Sequence, residues 1–137
     1  MKPDDLKKRT KQFALRVLKL VAALPNNLSG RTIGGQLVRA GTSVGANYRA
    51  ACRARSKPEF IAKIGIVEEE ADESAFWMEL IIEGKLLGQT LVQPLLDEAN
   101  DFAKIMASSR KSAYESLNPK ANGKLAIGNQ KSAMTYG

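Results

Sequence analysis

The chain has 137 residues, with 21 Lys and Arg against 14 Asp and Glu, one cysteine and no histidine. That length suits a single domain with its own core. The lone cysteine excludes an intrachain disulfide, and the missing histidine excludes Ser-His-Asp and Cys-His catalysis, His-containing zinc sites and the Glu-x-x-His di-iron centre.

Four segments repeat with a helical period and none alternates as a strand does. The first runs from about Asp4 to Leu24, with Phe13, Val17, Leu20, Val21 and Leu24 on one face, and Pro25-Asn26-Asn27 stops it. The second runs from about Arg31 to Ala54, striped by Ile33, Leu37, Ala40, Val44 and Ala51. Ser56-Lys57-Pro58-Glu59 then reads as a capping box with proline in the first turn. It opens a third helix from about Lys57 to Leu87, striped by Phe60, Ile64, Val67, Ala71, Ser74, Met78 and Ile81, with Gly88 expected as its C′ glycine. Thr90 to Gln93 reads as a second capping box, with Pro94 in the first turn of a fourth helix. Leu95, Ala99, Phe102, Met106, Ser109 and Ala113 form that helix's stripe.

These elements predict an all-α, up-down-up-down four-helix bundle over residues 1–117. The polar, Gly-rich run 118–137 reads as a flexible basic tail. The opening MKPDDLKKRTKQ lacks an apolar h-region, and no run approaches the ~20 apolar residues of a membrane span, so a cytoplasmic protein without a membrane partner is expected.

Charge is segregated along the chain. Residues 1–24 hold 7 basic and 2 acidic side chains, and residues 25–58 hold 6 and none, whereas residues 59–91 hold 2 and 8. A cationic half suggests nucleic acid. Segregated charge can equally be neutralised inside the fold or between subunits. The basic runs 7–11 and 49–57 supply the candidate phosphate contacts Lys7, Lys8, Arg9, Lys11, Arg49, Arg53 and Arg55, against the simpler reading of a solvated face. Tyr48 beside them is a candidate base-stacking aromatic.

The stretch Gly41-Thr42-Ser43-Val44-Gly45 matches both the G-x-S-x-G nucleophile elbow and the G-x-x-x-G helix-packing face. An elbow needs a sharp strand-to-helix turn and an activating base. Ser43 lies in mid-helix and no histidine exists, so packing is the better reading, and no catalytic residue is assigned. Each internal glycine costs about 1 kcal/mol of helix propensity, which close approach of a neighbouring helix must offset. Ser43, Asn47 and Glu73 are read as a structural polar cluster, with Ser43 bonding back to the Arg39 carbonyl and Asn47 reaching Glu69 or Glu73. Exposed polar residues are the alternative.

The acidic run 67–74 could in principle hold a cation. Helices 1 and 2 offer only Asp4 and Asp5 as further carboxylates, so no metal and no cofactor is assigned, and pairing with Arg39, Arg49, Arg53 or Arg55 is expected instead. Cys52 reads as a small buried hydrophobe, or, if exposed, as a thiol with its pKa lowered by arginines. Trp77 is expected to anchor a helix contact.

Gln36, Leu37, Arg39, Ala40, Ser43, Val44 and Asn47 spell QL-x-RA-x-x-SV-x-x-N, followed by Arg55 and Glu59-Phe60-Ile61. In these residues the chain resembles the bacterial four-helix-bundle proteins encoded in intervening sequences of 23S ribosomal RNA genes, over about residues 6–117. It departs from them at Tyr48-Arg49-Ala50-Ala51, where many members carry a run like Ile-Ala-Glu-Gly. The resemblance implies a homo-oligomeric ring, a pentamer, without enzymatic activity. It further implies a relation to the accessory subunit of diversity-generating retroelements, a basic pentamer that binds a reverse transcriptase and nucleic acid. The expected function is therefore a non-enzymatic, homo-oligomeric bundle whose basic surface binds RNA or a nucleic-acid-processing, reverse-transcriptase-like partner. The alternative is a protein-interaction scaffold whose charge is neutralised by a neighbouring subunit.

Overall fold

The computed structural model describes residues 1–119. Four helices follow one another: α1 (Pro3–Ala22), α2 (Leu28–Cys52), α3 (Lys57–Glu83) and α4 (Gln89–Leu117). No strand occurs among the described residues. Each helix packs on its neighbours in the chain, and α1 closes the bundle against α4 through a smaller contact. The tail expected over 118–137 lies outside the described residues beyond Pro119.

The apolar stripes meet in one core. Phe13, Val17, Leu37, Val44, Ile64, Val67, Met78, Ile81, Phe102 and Met106 are fully buried. Phe13 of α1 and Phe102 of α4 meet edge to face, with ring centroids 5.4 Å apart, an arrangement that adds a specific attraction to the area they bury. Two further residues of α1 turn inward, Leu6 and Thr10. Thr10 is buried because its hydroxyl donates to the Leu6 carbonyl at 2.8 Å, so no polar atom of its side chain goes unpaired.

α1 and α2 come close because α2 presents glycine to α1. A Cβ built at Gly41 would lie 2.8 Å from a methyl of Val17, and one at Gly45 would lie 3.4 Å from the backbone carbonyl of Thr10. Gly34 faces Val21 and Leu24 in the same way. The GTSVG stretch is thus a packed helix face. Ser43 sits in mid-helix with its hydroxyl donated to the Arg39 carbonyl at 2.7 Å.

The helix ends differ from expectation in four places. α2 begins at Leu28, earlier than the periodicity suggests, because the Asn27 side chain caps it by accepting from Gly30 N–H at 2.9 Å. At the start of α3, Ser56 accepts from Glu59 N–H at 3.2 Å as a capping box requires, but the Glu59 carboxylate takes the N–H of Arg55 at 2.8 Å, one residue before the cap. α3 ends at Glu83 rather than Leu87. Lys85 adopts the left-handed conformation (φ 57°), with Leu86 N–H bonded to the Ile81 carbonyl at 2.9 Å and Lys85 N–H to that of Ile82 at 3.0 Å. This is a Schellman closure with lysine in the position glycine prefers.

Gly88, expected to end α3, instead precedes the first residue of α4. Pro94 consequently lies inside α4. The Thr90–Gln93 box does not form. Gln93 instead accepts from the Gln89 amide at 3.1 Å and donates to Asp97 at 2.9 Å.

Candidate nucleic-acid interface

Lys7 and Lys8 lie in the first half of α1 with Lys11 one turn on, and Arg49 stands in the last turn of α2 with Arg53 one turn on as its C-cap. Helical spacing places each set on one side of its helix. The two helices run antiparallel, so the N-terminal half of α1 lies beside the C-terminal turns of α2. The five side chains line one groove of about 310 Å³. A second hollow of about 180 Å³ continues it along the same seam, lined by Lys7, Lys11, Ala14, Thr42, Gly45, Ala46 and Arg49. Small side chains explain the hollow: where Ala14, Gly45 and Ala46 stand, nothing fills the space between the rows of cations.

The charges in this groove are nearly free. Lys7 lies 3.9 Å from Asp4, one turn away; Lys7 is half-buried and Asp4 is largely solvated. Among the described residues Lys8, Lys11, Arg49 and Arg53 have no ion-pair partner. Position at the α2 C-terminus gives Arg49 and Arg53 a local role too, since cations there oppose the negative end of the helix dipole. That accounts for two of the five groups and leaves the three lysines of α1 unexplained.

Two candidates lie elsewhere. Arg9 points to α4, not to the groove. It grips Glu98 with two nitrogens at 2.7 and 2.8 Å, lies 3.6 Å from Asp101 and stacks over the Phe102 ring at 5.0 Å. Its pKa is raised, first by the Glu98 hydrogen bond and also by the charges of Glu98 and Asp101, against a lowering by desolvation. Arg9 is therefore a strut between α1 and α4. Arg55 is exposed in the α2–α3 turn and lines neither hollow.

Tyr48 is no stacking platform. It is 5 % exposed and belongs to the core. Burial raises its pKa, followed by the hydrogen bond to Cys52 and the charges of Cys52 and Asp4. Cys52 is half-buried and packs against the core.

The polar set divides. Ser43 and Asn47 are half-buried, and both satisfy themselves on α2: Asn47 donates to the Ser43 carbonyl at 2.9 Å. Glu73 belongs to a different group. It pairs with Arg39 and accepts from the Trp77 indole N–H at 3.1 Å, while Arg39 also holds Glu70 at 3.2 Å. The Arg39 pKa is raised, chiefly by these two carboxylates. Arg39 is the arginine that pairs with the acidic run; Arg49, Arg53 and Arg55 do not. A partner the sequence did not suggest, Arg110 of α4, takes Glu68 at 2.9 Å.

The other acidic side chains, Glu69 and Asp72, line a hollow of about 370 Å³ between α3 and α4 with Glu68, Gly65, Ile66 and Arg110. Among the described residues no three His, Cys, Asp or Glu side chains are grouped to hold a metal ion. No helix among them is long and apolar enough to cross a membrane.

Fold and groove together define a small four-helix bundle with cations gathered on one helix seam. The model of the 23S rRNA-intervening sequence protein family matches residues 4–116, and the chain belongs to that family. A crystal structure of a protein of unknown function from the S23 ribosomal protein family of Bacteroides thetaiotaomicron is similar to it: 32% identical, TM-score 0.74, covering 81% of this chain and 99% of that one. No curated protein matches.

Proposed function

We propose that this protein is a non-enzymatic, homo-oligomeric helical bundle of the cytoplasm that binds RNA, or a nucleic-acid enzyme together with its RNA, through the α1/α2 groove. The observation that carries the reading is the convergence of Lys7, Lys8, Lys11, Arg49 and Arg53 on one groove with a single weak acidic neighbour. Like charges gathered this way repel one another, and an anionic ligand removes the penalty. Membership of a family encoded in ribosomal RNA gene insertions agrees with an RNA ligand without naming one. Filter binding of a structured RNA across a salt series tests the reading. Neutralised phosphates make affinity fall steeply with salt, whereas weak and salt-independent binding would remove it.

A protein-interaction scaffold is the second reading. It is favoured by the acidic α3/α4 hollow, which could meet the basic groove of another copy, and by Leu15, Leu18, Phe76 and Leu80, which are more than a third exposed. A ring of subunits, with five as the expected number, would bury such side chains. Charge reversal of Glu69 and Asp72 separates the readings. The scaffold predicts loss of the oligomer on sizing, and the RNA reading predicts affinity that holds or rises.

A further inference from the structure

The groove has a composition and a shape, and both bear on the form of nucleic acid it takes. The inference rests on the RNA reading above. None of the residues lining the two joined hollows is aromatic. Tyr48, the nearest aromatic in sequence, is buried, and Phe76 and Trp77 belong to α3, which lines neither hollow. Proteins that hold single strands without sequence preference rely on aromatic faces for successive bases, together with a positive track. This groove has the track without the faces.

The cations form two rows. Lys7 and Lys11 are one turn apart on α1, and Arg49 and Arg53 one turn apart on α2, about 6 Å along each axis. Packed helices lie about 8–10 Å apart, and the glycine face of α2 keeps this pair close. The side chains of the two rows converge on one groove rather than splaying apart. Two close, parallel rows of cations match two close rows of phosphates. A-form RNA has such rows along its deep, narrow major groove. In B-DNA the major groove, about 12 Å wide, holds its phosphate rows further apart, and only the minor groove, about 6 Å wide, brings two rows close, so a DNA duplex is the competitor the test must include. A single strand has one row only.

We propose that the α1/α2 groove is a sequence-independent site for the backbone of double-helical RNA, with the α1 lysines on one strand and the α2 arginines on the other across the narrow major groove.

The test is a direct titration of full-length protein with three probes at one salt concentration: an RNA duplex of about 16 base pairs, comparable to the span of a double-stranded RNA-binding domain, the DNA duplex of the same sequence, and one RNA strand alone. The expected order is duplex RNA tightest, by about tenfold or more over each of the others, a difference of about 1.4 kcal/mol. A second, unrelated duplex RNA sequence should bind within about twofold of the first, as expected when phosphates supply the contacts. Lys8→Ala/Lys11→Ala and Arg49→Ala/Arg53→Ala should each abolish the preference for duplex RNA. Lys104→Ala/Lys111→Ala, exposed on α4, should leave it intact and serves as the control for lost charge. Circular dichroism of each variant checks that the bundle persists. Equal, salt-sensitive binding of all three probes that is lost in the groove variants would overturn the duplex inference and leave the RNA reading standing. No binding of any probe would overturn both.

Discussion

The α1/α2 seam and the α3/α4 seam are built on opposite principles. In the first, glycine brings backbones close, and five like charges gather above the contact with one weak acidic neighbour. In the second, glycine makes no close approach: a Cβ at Gly65 would meet nothing nearer than the Arg110 side chain at 3.9 Å. There charge is paired across the seam, Glu68 with Arg110. Tight packing fixes the α1/α2 seam, so its surface charge need not hold the helices together and can stay free for a ligand. At the α3/α4 seam the charges take part in holding the helices together.

Substitutions that reverse this contrast give the sharpest tests. Gly45→Leu carries the largest expected effect, because its Cβ would already touch the Thr10 backbone carbonyl at 3.4 Å and the bulky group beyond it must push α1 away or fill the hollow beside it. Overpacking costs about 1–3 kcal/mol and more where backbones touch, so the melting temperature should drop sharply. Gly41→Ala should lose about 1–2 kcal/mol in a urea titration, since the new methyl meets Val17 at 2.8 Å and a β-branched side chain has little rotamer freedom to move away. Arg9→Ala should cost about 1 kcal/mol through its partly buried pair with Glu98 and leave RNA affinity within about twofold, because the side chain faces α4. Gly65→Ala should have the opposite sign to Gly41→Ala. It has room, and the lost freedom of the unfolded chain stabilises by about 0.4–1 kcal/mol. If the two glycines respond alike, the contrast between the seams is wrong. Ser43→Ala should change stability least, by no more than about 0.5 kcal/mol, since its hydroxyl bonds only to its own helix.

The bundle was legible in the sequence because a stripe needs only spacing to be seen. Phe13, Val17, Leu37, Val44, Ile64, Val67, Phe102 and Met106 all fall in the core as the period implies. The glycine face was legible for a related reason, since a helix carrying so many glycines must recover their cost by close packing. Spacing gives a face but not the partner opposite it. Lys7, Lys8 and Arg9 are neighbours in sequence, yet Arg9 lies on the flank that meets α4 and finds Glu98 there, a carboxylate 89 residues away in the chain. Arg110 and Glu68 were missed for the same reason. Tyr48 looked like a surface aromatic because arginine and asparagine surround it, but it lies on the same inward flank as Val44 and Ala51. The α3–α4 turn was misplaced because glycine marks left-handed turns in most chains, whereas here Lys85 adopts that conformation and Gly88 opens the next helix.

The most direct test of the account is the salt dependence of RNA affinity in the parent protein and in Arg49→Ala/Arg53→Ala. Each cation that neutralises a phosphate adds about one to the slope of log affinity against log salt. The account predicts that the double variant loses about two from that slope while its melting temperature stays within a few degrees of the parent. An unchanged slope in a folded variant would contradict the assignment of the α1/α2 groove as the nucleic-acid site.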